Sequence, residues 1–472
     1  MSTELLETEV CVIGGGPAGS AFARELARRG HRVLLVERHA FPRLHVGESL
    51  TPGVWPLLEA LELREAVIAS GFLPATEARV RWTDDETRVA RARASEPGLA
   101  VDRGRFDALL LGAAKAVGVT VLQPATASEP RRLARGWEVS VSSGDRALLV
   151  RARFLADASG RAFVLGGQKE PTSARTLALY GYWHCAPVNH AETRVEAARA
   201  AWFWGSHLPG GLFNAMAFVD PELLRQRGVR KPGLEGFYLE LMAGSELLHG
   251  LKDARRMGPV IACDATSYAD PEPIDDTCIK LGEAGFGIDP LSSSGVQKAL
   301  QTALCGSVVV HTLLSGRGNT AAALAFYREN QRHSVEQHAA WAGGYYHEHS
   351  RYRDEAFWKR RARPATEPPT PALREELSRR PKHRVRLAEG AALIDTPCIV
   401  GEYVELRRAL NHPSLARPVA YLGGVELAPL LECLGDGRTI QELLRAWTRW
   451  IPPDRGLAIA GWLHRQGLLV GG

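Results

Sequence analysis

The chain has 472 residues, with 58 Lys and Arg against 53 Asp and Glu, for a formal net charge of +5. The two signs are interspersed, so no basic stripe argues for nucleic acid. No apolar run reaches the roughly 20 residues that cross a bilayer. The length suits two or three domains of about 100–200 residues. The N-terminal MSTELLETEV is acidic and enters a strand pattern almost at once, unlike a signal or transit peptide. The cysteines (Cys11, Cys185, Cys263, Cys278, Cys305, Cys398, Cys433) are dispersed with no CxxC spacing. That usage fits a cytoplasmic protein with free thiols and no structural zinc.

The first predicted unit is strand, glycine turn, helix, strand. Val10–Ile13 leads into Gly14, Gly16 and Gly19, a helix follows over about Pro17–Arg29, and a second strand, Val33–Val36, ends at Glu37. The first glycine permits the sharp turn, the second lets backbone approach a pyrophosphate, and the third lets helix pack on sheet. The helix N-terminus offers N–H groups and a positive dipole end to a diphosphate. Glu37 is placed to accept from a ribose, with Arg38 beside it. A lone GxGxxG is weak; strand, helix, second strand and acid in register make a dinucleotide-binding unit.

Phe41–Pro56, FPRLHVGESLTPGVWP, reads as a loop, followed by two short helical patterns to about Gly71. Short strands are predicted at Arg79–Trp82 and Thr87–Ala90. A helix carries Phe106, Leu109, Leu110, Ala113 and Val117 at helical spacing. A strand at Val119–Leu122 and a hairpin of Trp137–Ser142 with Ala147–Val150 follow, then a short buried strand, Phe154–Ala156. Residues 173–269 are β-rich and read as a sheet inserted into the nucleotide fold. The chain returns with a strand, a loop and long helices to about Arg363. The expected divisions are 1–172 and 270–362 for the nucleotide domain, 173–269 for a substrate sheet, 363–390 for a linker containing RPATEPPTP, and 391–472 for a terminal module. In that module Thr439 and Glu442 form a capping-box pattern, and the helix–turn–helix–strand order suggests a small winged-helix-like fold.

Three further segments bear on a flavin. Arg105 opens the DRGRFDALL helix, where it could clamp a diphosphate or sit on the helix surface. Asp157 ends a strand before a small-residue turn. LGEAGFGIDPLSSSGVQKA places Glu283 and Asp289 beside a helix N-terminus near Ser293, Ser294 and Gly295, an arrangement that stabilises a reduced, negative flavin ring.

In this order the motifs resemble the FAD-dependent aromatic-hydroxylase superfamily. FPRLHVGESLTPGV and GIDPLSSSGV are similar to segments of its branch of flavin-dependent halogenases and geranylgeranyl-reductase-like proteins. The resemblance covers about Thr8 to Thr312. It implies an FAD-binding Rossmann-like domain with an inserted antiparallel substrate sheet. It implies that Gly14, Gly16, Gly19, Glu37, Arg105 and Glu283 hold the ADP part of FAD. It places Arg43, Ser49, Asp289, Pro290 and Gly295 near the flavin ring or ribityl chain. Glu283 replaces the family's usual Asp.

Halogenases of this branch carry a catalytic lysine in a GFxxKxGxxFxW pattern. Gly71, Phe72 and Trp82 hold that frame here, but Ala75 stands at the lysine's position and LPATEAR contains no lysine. The WxWxIP segment is blurred into WFWGSHLP. Without an ammonium to hold hypohalous acid, a flavin C4a-hydroperoxide formed with O₂ can still hydroxylate an electron-rich ring. The expected activity is therefore monooxygenation, with halogenation or alkene reduction as enzyme rivals and a non-catalytic FAD peptide chaperone as the other class.

The terminal module resembles peptide-binding modules of enzymes that modify ribosomal peptides; a helical cap is the plainer alternative. The first reading implies a peptide or small-protein substrate. The chain is then similar in kind to flavoprotein monooxygenases that hydroxylate a peptide tryptophan during cysteine tryptophylquinone formation.

Trp183, Trp202 and Trp204 are candidates for lining a substrate pocket or for the core. Glu48, His45 and His207 are candidate acid–base groups. His347 and His349 lie two apart, on different helix faces, and read as ordinary polar positions. No second GxGxxG is visible, so electrons come from transient NAD(P)H binding or from a partner flavin reductase.

Overall fold

The computed structural model describes residues 4–92, 96–348, 351–364, 384–435 and 437–471. The chain divides into two units, Met1–His311 with Tyr327–Ala365, and Thr312–Phe326 with Thr366–Gly472. The first unit opens with β1 (Glu4–Ile13), α1 (Pro17–Arg28) and β2 (Val33–Val36). There follow β3 (Ser49–Leu50), α2 (Trp55–Ala60), α3 (Arg64–Ala69), β4 (Leu73–Arg81), β5 (Arg88–Arg91), β6 (Gly98–Ala100) and α4 (Arg103–Ala116). Next come β7 (Thr120–Leu122), β8 (Thr126–Arg132), β9 (Trp137–Ser143) and β10 (Arg146–Asp157). The buried segment predicted at Phe154–Ala156 is the end of this one long strand.

The first sheet runs β7-β2-β1-β10-β9-β8, with β18 (Cys278–Lys280) also on β10. Strands β7, β2, β1, β10 and β18 are mutually parallel, and the register sets Ile13 beside Val36 and Asp157, and Asp157 beside Lys280. One carboxyl edge thus collects the turns after β1, β2, β10 and β18, where open parallel sheets bind ligands. Val10, Cys11 and Val12 are fully buried, and burial of such side chains stabilises by about 1.5–3 kcal/mol each.

The second sheet is built from β12 (Leu177–His184), β13 (Ala191–Ala198), β14 (Ala201–Leu208), β15 (Leu212–Val219) and β16 (Arg256–Asp264). Its order is β16-β12-β15-β14-β13-β4-β6-β3, with β5 on β4. Segment 49–100 therefore contributes four strands to it, although sequence assigns that segment to the nucleotide domain. The strand predicted at Arg79–Trp82 begins earlier, so the LPATEAR stretch is the first part of β4, which pairs in parallel with β13.

Helices α5 (Pro221–Gln226) and α6 (Leu234–Ala243) follow β15. Phe237 and Tyr238 of α6 pack in one cluster with Leu179, Phe203 and Phe213 of the sheet. The pairs β11 (Glu170–Pro171), β17 (Tyr268–Ala269) and β19 (Phe286–Gly287) form a third, small sheet. Helices α7 (Gly295–Ser315), α8 (Thr320–Glu348) and α9 (Ala356–Lys359) come next. Most of the predicted linker 363–390, and His349, lie outside the described residues.

The second unit contains β20 (Arg384–Leu387) between β25 (Arg438–Thr439) and β26 (Leu469–Gly471), and a hairpin of β21 (Ala392–Val400) with β22 (Tyr403–Asn411). Sequence reading missed this hairpin. A short β23 (Tyr421–Leu422)–β24 (Val425–Glu426) pair precedes α10 (Ala428–Glu432), α11 (Ile440–Trp447) and α12 (Pro453–Arg465). Leu430, Leu443, Trp447 and Leu463, all fully buried, form its core. Trp447 Nε1 donates to the Leu430 carbonyl at 2.8 Å. Thr439 and Glu442 make both bonds of a capping box at α11. Thr439→Ala is expected to lower the second unit's unfolding free energy by about 1 kcal/mol, read by urea denaturation followed through tryptophan fluorescence.

Candidate active site

The glycine turn after β1 is close-packed where glycine is required. Gly14 has φ +106°, and a Cβ on Gly19 would lie 1.9 Å from the Gly14 carbonyl oxygen. A Cβ on Gly16 would meet only open space, with Arg43 Nη2 nearest at 3.9 Å. α1 begins there with no side-chain cap and Pro17 in its first turn, so its free N–H groups face that space. Glu37 accepts from Gly15 N at 2.7 Å and from His39 N at 2.8 Å. Arg38 follows β2 and is exposed.

The arginines are sorted by helix phase. Arg103 is buried and forks onto Asp107 at 3.0 and 3.2 Å, and it donates to the Val46 carbonyl at 2.8 Å. Asp107, fully buried, also takes Arg43 Nη2 at 3.3 Å. Arg105 instead turns outward, donates to the Ser70 carbonyl at 3.0 Å and lies over the Phe72 ring. Arg103 and Arg43, not Arg105, point their charge inward beside the glycine turn and the Val46–Glu48 loop. The Arg103–Asp107 spacing of four, one helix face, was the signal for this in the sequence.

On the same edge, Asp157 is fully buried with both oxygens on backbone N–H groups, Ser159 at 2.9 Å and Leu165 at 2.8 Å. It shapes the turn rather than facing the cleft. Glu283 keeps two-fifths of its side chain exposed and meets Arg161 Nε at 3.3 Å. Desolvation raises its pKa, but Lys298, Arg161 and His45 outweigh this and hold the carboxyl below its usual value. Burial brings Lys298 down to about 8 against the pull of Glu283.

Asp289 caps the turn at Pro290–Ser292 by accepting from Leu291 N at 3.0 Å, and it receives the Tyr346 hydroxyl at 3.2 Å. Burial raises its pKa. A Cβ on Gly295, at the start of α7, would find open space. Ser49 pairs with Ala100 in β3–β6.

Glu48 ties the loop to the second sheet. It is 3% exposed, accepts from Tyr182 Oη at 2.6 Å and Asn214 Nδ2 at 3.2 Å, and takes Gly47 N at 2.8 Å. Burial raises its pKa, against these bonds. Asn214 is the ladder partner of both Tyr182 and Ser206, and the three share one sheet face; Tyr180, Met216 and Trp204 form the next row. Sequence reading missed Tyr182 and Asn214, because nothing local links them to Glu48. His45 donates through Nδ1 to the Val46 carbonyl at 2.7 Å, and desolvation of the ring together with the Arg103 charge lowers its pKa.

The other candidates separate by strand parity. Trp183 and His207 sit on the opposite face. Trp183 packs in the α6 cluster, and His207 lies edge-on to Phe213 at 5.0 Å with its pKa lowered by burial. Neither shares the Glu48 face. Trp202 does, but is 1% exposed and stacked on Phe218 at 3.8 Å, a core residue. Trp204 is 7% exposed, and its Nε1 has no partner among the described residues.

Ala75 packs with Leu73, Ala100, Ala191, Leu208 and Tyr182, a small apolar nest beside Glu48's partner. Two buried ammonium groups among the described residues are committed elsewhere: Lys280 pairs with Asp270, and Lys298 donates to the Phe286 carbonyl. No group of three or more metal-ligating side chains occurs among the described residues, and none of the described helices is long and apolar enough to cross a membrane.

Comparison with known proteins agrees with this arrangement. A family model for FAD dependent oxidoreductases matches residues 9–169. A tryptophan 2-halogenase from Chondromyces crocatus is 30% identical over 369 residues, covering 74% of this chain and 70% of that protein. The crystal structure of CmlS, a flavin-dependent halogenase, superposes with a TM-score of 0.80 at 22% identity over 99% of this chain and 96% of its own. QhpG, a peptidyl tryptophan dihydroxylase, superposes at 0.75 with 24% identity over 98% and 100%. The chain belongs to the flavin-dependent halogenase family of FAD-dependent oxidoreductases, and it is an enzyme.

Two outcomes test the geometry. Gly19→Ala should abolish the yellow flavin spectrum of the purified protein, because its Cβ has no room. Arg103→Met leaves Asp107 partly unpaired and should cost about 3–5 kcal/mol, with flavin lost, whereas Arg105→Met keeps full flavin content; absorbance at the flavin band against protein concentration distinguishes them.

Proposed function

We propose that this enzyme is a monooxygenase that hydroxylates an electron-rich aromatic ring, an indole side chain carried on a polypeptide. The observation that carries this reading is Ala75. It stands among Ala100, Ala191 and Leu208 where a halogenase needs an ammonium group. A site without that cation cannot hold a hypohalous acid next to the ring, but an apolar, water-poor nest still favours transfer of oxygen. QhpG, a peptidyl tryptophan dihydroxylase on the same fold, lends support.

In this reading FAD lies along the carboxyl edge of the first sheet. Gly14, Gly16, Gly19 and the α1 N-terminus receive the diphosphate, with Arg43 and Arg103 adding positive charge. Glu37 takes the adenosine ribose, and Glu283 adds to the holding of the ADP part. Ser49, Asp289, Pro290 and Gly295 adjoin the ring. Bound FAD supplies O₂ activation, with electrons from NAD(P)H directly or through a partner reductase; the balance is RH + O₂ + NAD(P)H + H⁺ giving ROH + H₂O + NAD(P)⁺. The protein orients the ring, excludes water and moves protons.

Glu48 is the proton acceptor on the cleft face, held by Tyr182 and Asn214 so that its carboxyl keeps one orientation. His45 stands at the loop's outer side. The terminal unit is the holder of the polypeptide substrate.

Because burial lifts the Glu48 pKa, the carboxyl is protonated below that value and ionised above it. Turnover should therefore rise with pH through a limb lying above the usual carboxylate range of about 4–4.5. Glu48→Gln should lower kcat about 100-fold, remove that limb and leave the flavin spectrum intact. A second reading, halogenation, is favoured by the 30% identity to the tryptophan 2-halogenase. Mass spectrometry of product formed with bromide present decides between them: a gain of oxygen alone supports hydroxylation, and a bromine isotope doublet overturns it.

A further inference from the structure

A second pocket lies in the first unit, between α8, the loops flanking β11 and β17, and the segment after α9. Ser267, His338, Tyr346, Asp289 and Arg360, Arg361 and Arg363 line it. It is clear of the glycine turn and of Glu48 itself, and it shares Asp289 with the segment proposed to adjoin the flavin ring.

Its wall carries hydrogen-bonding capacity that the described residues do not use. Ser267 and Arg361 are 6% and 4% exposed, and Ser267 Oγ and Arg361 Nε are both buried without a partner. Buried polar atoms are almost always satisfied by protein, water or a ligand. The rest of the Arg361 fork is engaged: Nη2 binds Asp220 at 2.6 Å and Nη1 the Phe357 carbonyl at 2.9 Å. Its Nε is the free edge of a group held rigidly in place.

Charge fixes the sign of the missing partner. Arg360 and Arg361 share one carboxylate, Asp220, at 3.2 and 2.6 Å. Arg363 is exposed and, among the described residues, donates to the Thr172 carbonyl at 3.2 Å. The acid on the wall, Asp289, already takes Leu291 N and the Tyr346 hydroxyl. Among the described residues, three guanidinium groups against one shared and one satisfied carboxylate leave positive charge in excess. Guanidinium and hydroxyl donors together suit planar or tetrahedral oxygen anions. The pocket has room for atoms of about water size.

We propose that this pocket is a binding site for a small carboxylate or oxyanion, held by Ser267, Arg361 and Arg363. The carboxylate source is an acidic group on the substrate; the oxyanion source is free inorganic phosphate.

Isothermal titration of the FAD-loaded protein with sodium phosphate, and separately with sodium acetate, tests this against sodium chloride at matched ionic strength. Saturable binding of either anion at millimolar concentration, weakened at least tenfold in Ser267→Val and in Arg363→Met but unchanged in Arg105→Met, supports the site. Acetate alone identifies the carboxylate source and phosphate alone the oxyanion source. Arg363 is exposed, so Arg363→Met decides the matter if the valine variant fails to fold. Absence of saturable binding, or equal binding in Arg363→Met, overturns the proposal.

Discussion

The carboxylate of Glu48 is the joint on which the catalytic architecture turns. It leaves a loop of the nucleotide-binding layer, enters the other layer and is held there by Tyr182 and Asn214, while Arg103 grips the same loop from behind through the Val46 carbonyl. Each of these groups is buried or partly so, and a hydrogen bond to a charged group contributes about 1.5–3 kcal/mol. The loop is thereby fixed to the second sheet and to α4 at once. Its position against that sheet face is set by side chains rather than by the length of the loop.

The nucleotide half of this arrangement was plain in the sequence because its determinants are local. Gly14, Gly16 and Gly19 follow a strand and precede a helix, and Glu37 ends the next strand; each feature is defined within a few residues. The second half was only partly plain. Trp202 and Trp204 share a face and His207 lies five residues on, so strand period alone puts it on the other side. The period does not say which side is the cleft. That depends on α6 packing against Phe203 and Phe213, a contact between distant segments. The sequence reading named Arg105 at the helix start; the pairing of Arg103 with Asp107, four residues on, follows from helix phase.

On the proposed reading, the family's scaffold carries a different chemistry at one strand. The scaffold is that of the flavin-dependent halogenases, and fold does not fix function. β4 carries Ala75, and Gly71, Phe72 and Trp82 flank the strand. Trp82 is packed edge-on to Trp202 and Trp358, at 6.2 and 5.2 Å, which anchors the end of the strand.

The parallel pairing of β4 with β13 has a consequence for synthesis. β4 leaves the ribosome more than a hundred residues before its neighbour β13, and the remaining strands of that sheet follow only up to Asp264. Non-local pairing of this kind is slow and leaves strand edges bare in the meantime. The nascent chain must hold an incomplete sheet while a further sixth or more of its length is made, so chaperone dependence and loss to aggregation should be governed by the 73–100 segment and not by the quickly closing glycine-turn unit.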